Sequence, residues 1–422
     1  MHSFFRSQFL NFETIRILGT AAYGGAEVAE VLEAVGQIRE NDPDSWRAAW
    51  SRQAELAEKT AEDARLGGHG RAARRAFLRA SNYTRASAYM MVGDGLGESD
   101  PRTCGILRKS GQLFNEALAL FDHPVRPLEI PYTEDTSLPA YLYLPAASKR
   151  LPGGKTPLII NFIGADSIQE EIFYMFPAEG PELGYAVLTV EGPGHGLMLH
   201  QHGIPMCPNW EEVVGKAVMG HMSQYAEQNK DLGLDMDRVV VAGASLGAYF
   251  ALRTAADPRC KACVAVDPIY DLWEFAAKRS GPAICHLWKQ GWVPDGVMNT
   301  AMSLSVRLSW ETRWQIYTSA RFLGAQSPVE ILRAMQKFTL GGGYLDKVTC
   351  PVLVTGGADA LYTDAQSDTA LIFDQLSNAS HKELWVGPTP GQGSLQAKMG
   401  ALPYCNQRVF AFLDGRFGVS RG

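Results

Sequence analysis

The chain predicts a doubly wound, mostly parallel α/β sheet carrying a helical N-terminal segment and a helical insertion. Three observations lead there. Short apolar runs alternate with helical stretches from about residue 124 onward, the pattern of parallel β–α units with right-handed crossovers. The segment Arg238-Val-Val-Val-Ala-Gly-Ala-Ser-Leu-Gly-Ala-Tyr-Phe250 reads as strand, sharp turn and helix. The first 125 residues show helical periodicity and no strand pattern. The expected division is therefore 1–125 helical lid, 126–270 first part of the α/β core, 271–346 helical cap insertion, and 347–422 second part of the core.

Taken in order, the first expected helix starts at Asp44 as cap, with Trp46, Trp50, Ala54 and Leu56 near helical spacing. A second spans Ala72 to Ala88, with Ala73, Phe77, Ala80 and Tyr83 on one face. A third runs from Leu107 to Phe121 on Leu113, Phe114, Ala117, Leu118 and Phe121. Such stripes signal packing rather than chemistry. Leu128 to Pro131 and Leu138 to Leu144 alternate like paired strands, and Gly153-Gly154 breaks the chain. Pro157 to Ile163 is a buried-strand run that ends in Gly164-Ala165-Asp166-Ser167, before a helix near Gln169. Tyr185 to Val190 is the next strand, leading to Gly192-Pro-Gly-His195-Gly196 and a helix over 209–228. After the Ser245 segment come strands at Cys263 to Val266, Pro351 to Thr355 and Glu383 to Val386. Residues 271–347, rich in Trp and Met, interrupt them with a helical texture.

Gly243-Ala-Ser245-Leu-Gly247 matches G-x-S-x-G, in which small residues let a serine sit on a strained turn above the sheet. The helix that follows aims its N-terminal N–H groups at the same point, so Leu246 is a candidate oxyanion donor. The lip at Gly164 to Ser167 ends a strand and enters a helix, which leaves free N–H groups; Ala165 or Asp166 is the second candidate donor. Asp359, just past the strand Val352 to Thr355, stands where the acid belongs in the order Ser, Asp, His, and that role is favoured over a turn or cap aspartate. The histidine is missing. None follows His381, and His381 precedes the last strand, at the wrong end of the sheet.

Composition narrows the partners. With 39 basic and 45 acidic residues the formal charge is -6, which offers no basic field for nucleic acid. No apolar span of roughly eighteen residues suggests a membrane helix and no leader pattern opens the chain, so a cytoplasmic protein is expected. Seven scattered cysteines read as reduced thiols. Cys260-x-x-Cys263 lacks the second pair a zinc site needs, and neither a metal nor an organic cofactor is expected.

Taken together, the helical N-terminal part with Trp46, Arg79-Ala-Ser81 and Tyr83, the Gly164 lip, Gly192-Pro-Gly194, Gly243 to Gly247 and Gly356-Gly-Ala-Asp359 resemble the lidded α/β-hydrolases of the fungal pigment type. Those enzymes shorten polyketides and are similar to bacterial carbon–carbon hydrolases of diketones. The resemblance implies an α/β-hydrolase fold, a polyketide-type substrate and a site at Ser245. It also makes a polyketide synthase a candidate partner and a homodimer a candidate assembly. In the relatives a loop after the last strand carries Glu-His-Cys-Gln; here Gly391-Gln-Gly-Ser-Leu-Gln396-Ala-Lys-Met-Gly400 puts Gln396 at the histidine.

Glutamine cannot take a proton at neutral pH, which leaves Ser245 without its base. The leading expectation is therefore an enzyme of fungal secondary metabolism that polarises a carbonyl for ring closure or condensation. One rival is a serine hydrolase of C–C or thioester bonds with a displaced base: His195 first, then His286, with Asp271 and Glu274 as carboxylate alternatives. The other is a non-catalytic protein that binds an intermediate or a synthase.

Overall fold

A computed structural model describes residues 2–421. Among them, eight strands form one sheet in the order β1-β2-β4-β3-β5-β6-β7-β8. These are β1 (Val125–Pro131), β2 (Ser137–Tyr143), β3 (Thr156–Phe162), β4 (Ala186–Val190), β5 (Leu234–Ala244), β6 (Cys260–Val266), β7 (Val352–Gly357) and β8 (Lys382–Gly387). The β1/β2 and β2/β4 pairs are antiparallel, and all others are parallel.

The central strands are apolar on both faces because helices cover both. Leu158, Ile160, Val239, Val241 and Val354 point into one core, whereas Ile159, Val240, Ala242, Val264 and Leu353 point into the other. Register then places the functional loops. Phe162 pairs with Gly243, Ala244 with Val266, and Val266 with Thr355, so four strands end at one rim and release their loops side by side. Ligands of such sheets bind at that rim.

Five helices precede the sheet: α1 (Gln8–Leu18), α2 (Val28–Val35), α3 (Pro43–Leu66), α4 (Gly70–Tyr89) and α5 (Thr103–Leu118). The sequence pattern missed α1 and α2. It also started α3 late: Asp42 is the cap, its side chain accepting from Ser45 N–H at 3.1 Å, and Pro43 occupies the first turn, where its fixed φ suits a helix. Leu56, expected on the packed stripe, is 47% exposed, because Trp46, Ala49, Trp50, Gln53 and Ala57 fill that face instead. The helix expected near Gln169 is a single turn, Gln169–Ile172. Between β6 and β7, five helices occupy Leu272–Ser280, Pro282–Lys289, Asp295–Leu308, Trp310–Leu323 and Pro328–Met335. Asp271 caps the first of them through Glu274 N–H at 3.0 Å. Among the described residues no helix is long and apolar enough to cross a membrane.

Candidate active site

The turn at Ser245 is forced by its neighbours. Ser245 has φ 55 and ψ -121, a conformation costly to a residue with a Cβ. Its N–H is fixed on Val266 O at 2.8 Å. A Cβ on Gly243 would run into the Gly247 carbonyl, and one on Gly247 would lie 2.5 Å from Phe162 O. Both glycines are therefore required for the helix Leu246–Thr254 to start so close to β3 and β5. Among the described residues the half-buried Ser245 hydroxyl has no hydrogen-bond partner, and the N–H groups of Leu246 and Ala165 have no acceptor within the chain. Donors without acceptors at the lip of a cavity are what a developing oxyanion requires.

That cavity measures about 210 Å³ and is mostly apolar. Ser245, Leu246, Ala165, Asp166 and Gln396 all line it. Phe12 and Arg16 come down from α1; Phe275, Met302, Trp314 and Met335 close it from the helices between β6 and β7. Arg279 lies over the Phe275 and Tyr362 rings, 4.9 Å from each centroid, and bonds Leu361 O.

Gln396 is 2% exposed and three hydrogen bonds hold its amide. Oε1 accepts from Tyr362 N–H and Thr363 Oγ1, both at 3.2 Å, and Nε2 donates to Asp267 O at 3.4 Å. Asp359 does not join it. The Asp359 side chain is exposed and accepts from Ser394 Oγ at 2.6 Å, while its N–H bonds Ser394 O at 3.0 Å. The loop after β8 thus folds between Asp359 and the cavity. His195 is likewise elsewhere: 2% exposed, against Trp210 and Phe250, with Nδ1 at 2.9 Å from Pro193 O and outside the lining of this cavity. Burial holds its imidazole down at about 4, so it is neutral. His286 is exposed and bonded to Pro282 O, and no histidine lines the cavity among the described residues.

Two charged assemblies border the site that sequence reasoning did not find. Beneath it, Lys398 and Asp267 form an ion pair at 2.7 Å with neither side chain exposed. Lys398 Nζ also donates to Gly356 O at 2.7 Å, and Asp267 accepts from Thr355 Oγ1 at 2.9 Å. Ala397 and Lys398 both have positive φ, 53 and 58. The pair holds this strained loop, and hence Gln396, against the end of β6.

At the rim, Arg16 makes a fork to Glu171, Nε to Oε1 at 2.5 Å and Nη2 to Oε2 at 2.6 Å. Its Nη1 reaches Glu13 at 3.3 Å and Asp166 at 3.4 Å. The Tyr89 hydroxyl bridges Glu13 Oε1, at 3.1 Å, and Asp166 Oδ2. Arg85 pairs with Glu171 at 3.2 Å. Three carboxylates thus face two guanidinium groups, and the imbalance favours a proton. Burial pushes Glu13 up to about 7, with Arg16 opposing and Asp166 adding to the shift. Burial raises Asp166 as well, against Arg16 and the Tyr89 hydrogen bond. Glu171, held by both arginines against its burial, stays down at about 2.

A raised carboxyl binds protons in the folded chain that the unfolded chain has released, so stability falls as pH rises from 4.5 through about 7. Urea midpoints measured across that window should decline, and Glu13→Gln should flatten the decline. A wild-type midpoint that rises over the window would contradict the raised Glu13.

A model of the alpha/beta hydrolase family matches residues 171–390, and one described as FrsA-like esterase matches residues 26–280. The chain is 51% identical to the protein named Hydrolase ORFZ of Pyricularia oryzae, over 100% of this chain and 99% of that one. It is 48% identical to Hydrolyase ccsE of Aspergillus clavatus, over 100% and 99%. Among solved structures, 2,6-dihydroxy-pseudo-oxynicotine hydrolase superposes with a TM-score of 0.65 at 18% identity, covering 94% of this chain and 95% of that one.

Proposed function

The chain belongs to the alpha/beta hydrolase family, and we propose that it is an enzyme of fungal secondary metabolism that closes a ring on a polyketide or polyketide–amino acid substrate. The observation that carries this reading is Gln396, which stands where the resemblance expects a histidine and lines the Ser245 cavity with its amide bonded to the loops after β6 and β7. No histidine stands there among the described residues to take the serine proton. The titratable acid that does line the cavity is Asp166, backed through Tyr89 by Glu13.

In this reading the Asp166 carboxylate removes a proton from a carbon flanked by two carbonyls. The enolate oxygen lies against the Leu246 and Ala165 N–H groups. That carbon then bonds to a second carbonyl carbon of the same molecule, whose oxygen takes the proton back from Asp166. Departure of that oxygen as water, with a second proton from the activated carbon, leaves the unsaturated ring. An apolar cavity suits this sequence because it strengthens the N–H contacts and keeps bulk water from the enolate. A polyketide synthase that supplies the open chain is the partner this role implies.

The second reading is serine hydrolysis. The name of the relative Hydrolase ORFZ and the strained, unpartnered Ser245 favour it. A fluorophosphonate separates the two. Native protein should label slowly at Ser245, since without a base the hydroxyl stays protonated. Gln396→His should label about tenfold faster, short of the roughly 10²–10⁴ of a well-placed base, because Asp359 is held by Ser394 and cannot orient the ring. Fast native labelling, absent in Ser245→Ala and unchanged by Gln396→His, would establish the hydrolase reading instead.

A further inference from the structure

A second chamber of about 80 Å³ adjoins the Ser245 cavity, and the two share Asp166, Ser167, Trp314, Thr318 and Phe322 as walls. Arg321, from the helix Trp310–Leu323, lines only the second. It is 8% exposed and, among the described residues, forms no ion pair. Its Nη1 is bonded to Ser99 Oγ and lies 3.1 Å from His200 Nδ1. Nε and Nη2, the edge of the guanidinium suited to a two-point bond, have no partner among the described residues. Asp100, whose charge acts on Arg321 from a distance, is committed to Arg102 at 2.6 Å.

The other charges of the wall are spoken for. Arg85 is matched by Glu171, and Asp166 by Arg16 and Tyr89. His200 is neutral, held down at about 3 by burial and by Arg321 itself. The wall also carries Thr103, whose Oγ1 is buried without a partner. A desolvated guanidinium with a free fork is costly unless an anion meets it.

We propose that this chamber is a carboxylate-binding subsite, in which Arg321 Nε and Nη2 grip one carboxylate, so that the ligand of the whole site is an acid with an apolar body. The chamber's volume admits the acid group and little more, and the apolar body then lies in the larger cavity across the shared wall. The same chemistry has two sources, the acid end of a long ligand or a free small acid. The inference concerns binding alone and holds whichever reaction runs at Ser245.

The test is calorimetric titration and thermal melting of the full chain with decanoate, decanol and acetate. Decanoate binding that raises the melting temperature, with decanol and acetate without effect, is the expected result and identifies a long acid. Acetate binding as strong as decanoate supports the subsite and assigns it to a free small acid. Arg321→Gln should weaken carboxylate binding about 10- to 100-fold, the value of a charged two-point bond. Without ligand it should melt no lower than wild type, since it removes an unpaired buried charge. Should that variant fail to fold, Arg321→Lys, which keeps the charge and loses the fork, must still weaken decanoate. Equal binding of decanoate and decanol by the wild type, or carboxylate affinity untouched in a folded Arg321 variant, overturns the proposal.

Discussion

Lys398→Met should destabilise the protein by about 3–5 kcal/mol, the range for breaking a buried ion pair from one side. The methionine preserves the shape of the stem but leaves the Asp267 charge at zero exposure with only the Thr355 hydroxyl donating to it. It also frees a loop whose two positive-φ residues, Ala397 and Lys398, are held by that pair. A shift in urea midpoint at constant slope reads the effect directly. Lys398→Met combined with Asp267→Asn should recover part of the loss, because the uncompensated charge is then gone. A loss under about 1 kcal/mol for the single variant would mean that water reaches Asp267, and that the pair does not hold Gln396 in place.

Asp166→Asn should lower the rate of ring closure by about 10²–10⁴-fold, the usual contribution of a placed general base. The fold should persist: the amide oxygen still accepts from Tyr89 and Arg16, and one of three crowded carboxylates loses its charge. Substrate affinity, measured by titration, should change little. Turnover near the wild-type value would remove Asp166 from the chemistry. Glu13→Gln serves as the control, since Glu13 reaches the cavity only through Tyr89 and Arg16; it should move the pH profile more than the maximum rate.

Neither the Lys398–Asp267 pair nor the role of the Asp166 carboxyl was legible in the sequence. The central strands were legible because valine and isoleucine runs buried on both faces have few alternatives, and the elbow because Gly243 and Gly247 have a steric reason to be glycine. The order of loops at the rim followed from strand order. The Arg16 assembly joins α1, α4 and the lip after β3, with Arg16 and Glu171 separated by 155 positions. In sequence, a lone arginine on a helix resembles a solvated side chain, and α1, although capped by Ser7, buries Glu13, Thr14 and Arg16 beside its apolar residues, so no clean apolar stripe marks it. Lys398 is hidden for the same reason: a lysine in a glycine-rich loop gives no sign of facing inward.

Asp359 illustrates the opposite limit. Its place after β7 was read correctly, yet Ser394, two residues before Gln396, captures its carboxylate and keeps it out of the cavity. Hydrogen-bond choice between two loops depends on their relative path, which strand order does not specify. Asp166 was considered for its backbone N–H; the structure adds its side chain, aimed at Tyr89 and Arg16 by a positive φ of 60.

Whether this site joins carbon to a carbonyl, as proposed, or cuts with water is decided by incubating the protein with an open-chain substrate that bears a 1,3-dicarbonyl and a second carbonyl, and reading the product by mass spectrometry. Ring closure gives a single product lighter by one water, formed at an undiminished rate by Ser245→Ala and lost in Asp166→Asn. Two fragments whose summed mass exceeds the substrate by one water, abolished in Ser245→Ala, would contradict it.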